Sequence, residues 1–209
     1  MASIVRFDKI YPGTLLTMGA AAQVNDVLVL ACGSNSLTHA TATCAGATAT
    51  LAEQQFQSGT GSLQNALTIL TGVVTGAGTP AFTVSGESDM GYGAWIIRGL
   101  SSATKNDGNG AFGVGNPLTA SANPTGTTTL VIAYLNENGN NFTSWNGSIN
   151  AEGADAGHAD AYGDQVDVAA GSITPGANVT SEQNNTIAFI FLPNAASVSP
   201  SLIDPAILI

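Results

Sequence analysis

Apolar residues in this chain come in short runs closed by Gly, Asn, Pro or Ser, and no stretch carries a sustained helical period with a polar opposite face. Runs of four to eight residues suit strands, because a strand of that length crosses a core whereas a helix needs ten or more. Strands are expected at Val27 to Ala31, Leu67 to Val74, Ala81 to Val84, Ala94 to Ile97, Leu130 to Leu135 and Ile187 to Leu192. Several are apolar on successive positions, the pattern of a strand covered on both faces. Thr41 to Thr50 alternates small and hydroxyl side chains and reads as a half-buried or edge strand, while Leu51 to Gln57 reads as strand or irregular connection, a helical turn being the alternative.

The fold class is therefore all-β. An antiparallel two-sheet sandwich, with a jelly roll as one form of it, is the simplest way to bury these strands. A single domain over residues 20–194 is expected, flanked by extended arms at 1–19 and 195–209. No internal repeat of the solenoid or propeller kind is visible. Lys105 to Thr127 and Asn136 to Asp164, dense in Gly, Asn, Pro and acidic residues, read as long loops, and Asp107-Gly108-Asn109-Gly110 as a turn.

Charge decides more about partners than about fold. Four basic residues (Arg6, Lys9, Arg98, Lys105) against fourteen acidic ones give a net charge of -10, and charged residues are only 9% of the chain. Nucleic acid binds to clustered Lys and Arg, so no nucleic-acid partner is expected. A surface of Thr, Ser, Asn, Gly and Ala has few long side chains to immobilise, which suits packing against neighbouring proteins. No run approaches the length of a membrane helix, and Met1 to Lys9 lacks the pattern of a secretory signal, so no membrane partner and no secretion are expected. The sequons at Asn141, Asn146, Asn178 and Asn184 then carry little meaning.

No catalytic, metal or cofactor set emerges. Cys32 and Cys44 lie too far apart for a CxxC site and are expected as two separate buried thiols, a disulfide being the alternative. The acidic stretch Glu152, Asp155, Asp160, Asp164, Asp167 with His158 matches no calcium loop and reads as a solvated loop. Glu87 and Asp89 read as exposed loop carboxylates, and His39 and His158 sit in no nucleophile motif. Trp95 is expected in the core, and Arg98 in a pair with a carboxylate at a sheet end. Phe142, Trp145 and Tyr162 are candidates for a glycan-contacting aromatic platform, with local core packing as the alternative. The apolar terminal residues Ile203, Ile207, Leu208 and Ile209, interrupted by Pro200 and Pro205, are candidates for contact with a neighbouring subunit.

The segment order Gln23 to Ser34, Ala94 to Ser102 with its phrase Ile96-Ile97-Arg98-Gly99-Leu100-Ser101-Ser102, Gly126 to Leu135 and Asn185 to Leu192 resembles the β-sandwich virion proteins of tailed bacteriophages. That resemblance implies a non-enzymatic particle component on the virion exterior, made in the host cytoplasm. Its expected role is a capsid decoration or cement protein contacting the major capsid protein or other virion proteins, as a homo-oligomer and by analogy a trimer. A tail-fibre module binding host glycan is the alternative.

Overall fold

The computed structural model describes residues 1–10, 13, 15–34, 36–59, 65–85, 91–136, 142–154, 160–180 and 185–196. The described residues are strands and connections, and no helix among them is long and apolar enough to cross a membrane. The first half of the chain supplies β1 (Ser3–Ile10), β2 (Leu15–Thr17), β3 (Val27–Ser34), β4 (Thr41–Ala45), β5 (Thr48–Ala49), β6 (Ala52–Ser58), β7 (Ala66–Gly76), β8 (Ala81–Ser85) and β9 (Tyr92–Arg98). The second half supplies β10 (Asp107–Gly113), β11 (Leu118–Thr119), β12 (Thr128–Asn136), β13 (Phe142–Trp145), β14 (Asn150–Ala154), β15 (Asp160–Val168), β16 (Gly176–Val179) and β17 (Asn185–Pro193).

The sandwich is all-β and antiparallel, in four layers. Two large sheets, β1-β9-β3-β7 with β5 and β6 on the far edge of β7, and β10-β17-β12-β15-β14, form the middle. Small sheets β2-β8-β4 and β11-β16-β13 cover their outer faces. This explains why β3 and β12 are apolar at successive positions. Val27, Val29 and Ala31 meet Val131, Ala133 and Leu135 in the central core. Leu28, Leu30 and Cys32 face β2, β4 and β8, and Leu130, Ile132 and Tyr134 face the other small sheet. Each fully buried aliphatic side chain is worth about 1.5–3 kcal/mol before the entropy of ordering it.

The two halves have one topology. Strands β1, β9, β3, β7 and β6 occupy the same order in their sheet as β10, β17, β12, β15 and β14 in theirs, and β2-β8-β4 corresponds to β11-β16-β13. The match reaches single bonds. Met18 N–H donates to Pro80 O and Ala120 N–H to Pro175 O. Ala22 exchanges both backbone bonds with Gly78, as Ala122 does with Ile173. Gly46 and Gly147 turn at matching places with φ of 77° and 71°. The halves also meet symmetrically: β1 lies over β15 through Phe7 and Tyr162, and β10 lies over β6 through Gly110 and Gln57. Such reciprocal contact is the arrangement of an isologous dimer, here within one chain.

This duplication is not of the solenoid or propeller kind, and its traces in the sequence are faint for a physical reason. Leu28-Val29-Leu30-Ala31 returns as Leu130-Val131-Ile132-Ala133, and Thr79-Pro80 with Val84 returns as Thr174-Pro175 with Val179. Elsewhere the paired positions have exchanged volume. Cys44 faces Phe82 where Trp145 faces Ala177, and Cys32 faces Tyr92 where Tyr134 faces Ile187. A close-packed core fixes the sum of such a pair more tightly than its members.

Several expectations change. Residues 1–19, set apart as an arm, contribute the edge strand β1 and the outer strand β2. The loop expected at Lys105 to Thr127 contains β10, whose glycines are steric necessities. A Cβ on Gly108 or Gly110 would stand 2.8 Å or 2.7 Å from a carbonyl oxygen of β17. Asp107 and Asn109 form no turn: Asp107 accepts the Asn123 N–H at 2.6 Å, and Asn109 donates to Ser121 O at 2.9 Å, tying β10 to the next connection. The stretch Asn136 to Asp164 holds β13, β14 and the first five residues of β15, so it is largely sheet in its described part. Residues 197–209 lie outside the described residues, and with them Ile203, Ile207, Leu208 and Ile209; Glu87, Asp89, Asp155 and His158 lie outside them as well.

Candidate functional site

Phe142 and Trp145 are brought together on β13, ring centroids 4.8 Å apart, and both lie on the outer core of the second half. Trp145 is 7% exposed and donates its indole N–H to Tyr162 O at 3.2 Å, while Gly163 leaves room for that ring. Tyr162 points to the other face of its sheet and is 1% exposed, packed with Phe7 and Trp95. Neither Trp145 nor Tyr162 offers a ring face to a sugar. The platform reading is corrected on that ground, since stacking needs an open ring, and core packing takes its place.

The two cysteines are unpaired: Cys32 is fully buried, with burial holding its thiol far above the ordinary range, and Cys44 is half-buried. Trp95 is in the core, and Arg98 pairs with a carboxylate at a sheet end. Its Nε and Nη2 each lie 2.8 Å from one oxygen of Asp26, a carboxylate 2% exposed. Burial alone would raise Asp26; the guanidinium fork and the Gln23 N–H outweigh it and hold Asp26 below the ordinary value.

The acidic stretch holds the least expected chemistry. Its described part is no solvated loop: Asp160 and Asp164 sit on the inward face of β15, 5% and 1% exposed. Their neighbours on β12 are Leu135 and Val131, and the first-half residues facing Gly33 and Val29 at the same register are Leu67 and Thr71. Between them Tyr162 replaces Ile69, and across the sandwich Phe7 and Lys9 replace Gly108 and Gly110. At these positions one end of the pseudo-twofold contact carries Leu67, Ile69 and Thr71, and the other carries Asp160, Tyr162 and Asp164, with Glu152 and Lys9 beside them.

Asp164 is held by the opposing half. The Trp95 indole N–H donates to its Oδ2 at 3.1 Å across the central core. Burial, and then the negative charge of Glu152, push the carboxyl up to about 6. Tyr162 is raised well above its ordinary value by burial and next by the adjacent Asp160 carboxylate. Its ring leaves no room for a side chain at position 93, since a Cβ there would stand 2.5 Å from the ring. Asp160, Tyr162 and Asp164 are buried, and among the described residues no three His, Cys, Asp or Glu side chains are placed to hold a metal ion. With its carboxyl raised to about 6, Asp164 can hold or release a proton at the contact between the halves. The period-two spacing of Asp160, Tyr162 and Asp164 was the available signal, and it is a strand signal once the segment is not taken for a loop.

No family model, no curated protein and no solved structure matches this chain.

Proposed function

We propose that this is a non-enzymatic structural protein of a tailed-bacteriophage particle, acting as a capsid decoration or cement protein through contacts with the major capsid protein and with its own copies. The observation that carries the reading is the surface of the two outer sheets. Strands β2, β4, β8, β11, β13 and β16 contain no charged residue, in a chain of net charge -10. Leu15, Thr17, Thr41, Thr43, Ala45, Thr83 and Ser85 form the exposed face of one sheet; Thr119, Thr143 and Ser144 are exposed on the other. Short uncharged side chains lose little entropy on contact, and faces without charge add no like-charge repulsion of their own between copies of a molecule of net charge -10.

The winding of each half supports the same reading by analogy of fold. Counting β1 to β4 and β6 to β9 as eight strands, the order first-eighth-third-sixth over second-seventh-fourth follows a jelly-roll winding, an architecture common in capsid domains, except that the fifth strand, β6, lies beside the sixth in the first sheet and not beside the fourth in the second. Duplication gives one chain two such faces, and a repeated weak contact stabilises a lattice through its multiplicity.

The test compares purified particles with and without the chain. Loss of resistance to heat or osmotic stress in its absence is the expected result. Unchanged particles, or a chain absent from them, overturn the proposal.

A further inference from the structure

Two Asn-Gly steps occur among the described residues, Asn109-Gly110 on β10 and Asn146-Gly147 at the turn after β13. Their side chains are held alike: Asn109 Nδ2 donates to Ser121 O at 2.9 Å, and Asn146 Nδ2 donates to Thr174 O at 3.0 Å. Their backbones differ. Gly110 lies opposite Ala188 in the ladder with β17, and its N–H donates to Asn109 Oδ1 at 2.9 Å. That bond turns the hydrogen, rather than the electron pair of the nitrogen, toward the carboxamide. A Cβ on Gly110 would stand 2.7 Å from Ile187 O and 2.8 Å from the Gln57 side chain, so this stretch of backbone has no room to swing. Gly147 is exposed in a left-handed turn with φ of 71°, and its N–H donates to no group among the described residues. Apart from its chain neighbours, no described atom lies within 4 Å of the place its Cβ would take.

The matching turn of the first half is built otherwise. Position 146 carries a carboxamide where the first half has Ala45, and a Cβ on Gly46 would stand 2.0 Å from Thr79 O. Residues 47–51 connect that turn to β6, whereas only residues 148–149 connect Gly147 to β14. An asparagine followed by an open glycine is thus a property of the second half alone.

We propose that Asn146 is a self-modifying site, at which the Gly147 nitrogen attacks the side-chain amide carbon and water completes the conversion of asparagine to isoaspartate and aspartate. The Gly147 amide gives its proton to solvent hydroxide as its nitrogen bonds to Asn146 Cγ. The Cγ–Nδ2 bond breaks, and Nδ2 takes a proton from water and leaves as ammonia, which closes a five-membered imide. Water then opens the ring. Cleavage between Cγ and the Gly147 nitrogen leaves aspartate; cleavage between the main-chain carbon and that nitrogen leaves isoaspartate, with the backbone routed through the side chain. Glycine favours ring closure because no side chain crowds its nitrogen and its φ is free to change, and attack within one residue is driven by proximity. The ladder with β17 denies Asn109 the same freedom.

The consequence is charge. The sheet β11-β16-β13 contains no charged residue, and Asn146 follows Trp145 directly, so the modification sets a carboxylate at the end of that face. The carboxylate faces Thr174 O, to which the asparagine donates a hydrogen bond, and repulsion replaces attraction there. The inference does not rest on a virion role.

The experiment incubates the full chain in mildly alkaline buffer, folded and in denaturant, and follows both Asn-Gly steps by site-resolved peptide mass spectrometry. In the folded chain Asn146 should convert about tenfold faster than Asn109 or more, with isoaspartate among its products, and in denaturant the two rates should converge. Equal rates in the folded chain overturn the inference, and so does conversion of Asn146 to aspartate alone, which is direct hydrolysis without the imide. Gly147→Ala gives an independent reading: a methyl beside the nitrogen should slow conversion at position 146 about tenfold, while Asn109 in the same sample keeps its rate. An unchanged rate at position 146 removes the Gly147 nitrogen from the reaction and overturns the inference.

Discussion

Replacing Asp164 by Asn removes the buried charge while keeping an oxygen to accept the Trp95 indole N–H. In the folded protein Asp164 lies near 6, against an ordinary value of 3.8, because of burial and then Glu152. A carboxyl raised on folding contributes stability that is present in full below its unfolded value and is lost as pH rises through its folded value. The difference of about two units amounts to about 3 kcal/mol, of which about 2 kcal/mol returns between pH 7 and pH 4.5. For a chain of this size that is a rise of about 4–8 °C in Tm. Asp26 and Asp8 are held below 3.8, so their contributions fade only under that pH and leave the window clear. Thermal melts of both proteins at half-unit steps from pH 7 to 4.5 test this. The natural chain should gain about 4–8 °C more than Asp164→Asn, which starts the more stable of the two at pH 7. Parallel curves would refute the claim that a charged group is buried between the halves.

Gly93→Ala should cost about 1–3 kcal/mol, read by denaturant unfolding, because its Cβ meets the Tyr162 ring within 3 Å at a packed contact; full stability would mean the ring is not seated there. Arg98→Ala should lower Tm at pH 7 and flatten the acid limb below pH 4, since Asp26 loses the partner that holds it ionised; an unchanged acid limb would detach the pair from stability. Native alkylation followed by mass spectrometry should label Cys44 well before Cys32, whose thiol is buried and hard to ionise; equal labelling would contradict the core.

The fold was legible where both faces of a strand are apolar. The six runs from Val27 to Leu192 each lie within a strand, because continuous apolar sequence has few other uses in a chain of turns and hydroxyls. It was illegible where packing demanded residues that elsewhere signal turns. β10 reads as loop because its close approach to β17 requires Gly108 and Gly110, and β15 reads as loop because the sequence does not show which half will shield its aspartates. The duplication was hidden by compensating exchanges such as Cys44 with Phe82 for Trp145 with Ala177, and by a shortened connection that shifts the alignment. Of the site residues, Trp95 and Arg98 were readable from a lone indole in an apolar run and a lone cation at its end. Trp145 and Tyr162 were not, since burial of an aromatic among Asn and Gly depends on strands that are themselves unrecognised from sequence.

Cryo-electron microscopy of purified particles bears most directly on the central claim, that two fused units present charge-free outer sheets to a protein lattice. The account predicts the chain on the exterior of the head, with β2-β8-β4 or β11-β16-β13 seated against capsid subunits or against another copy. Particles that lack the chain, or that hold it only through its charged edges with both outer sheets facing solvent, would contradict it.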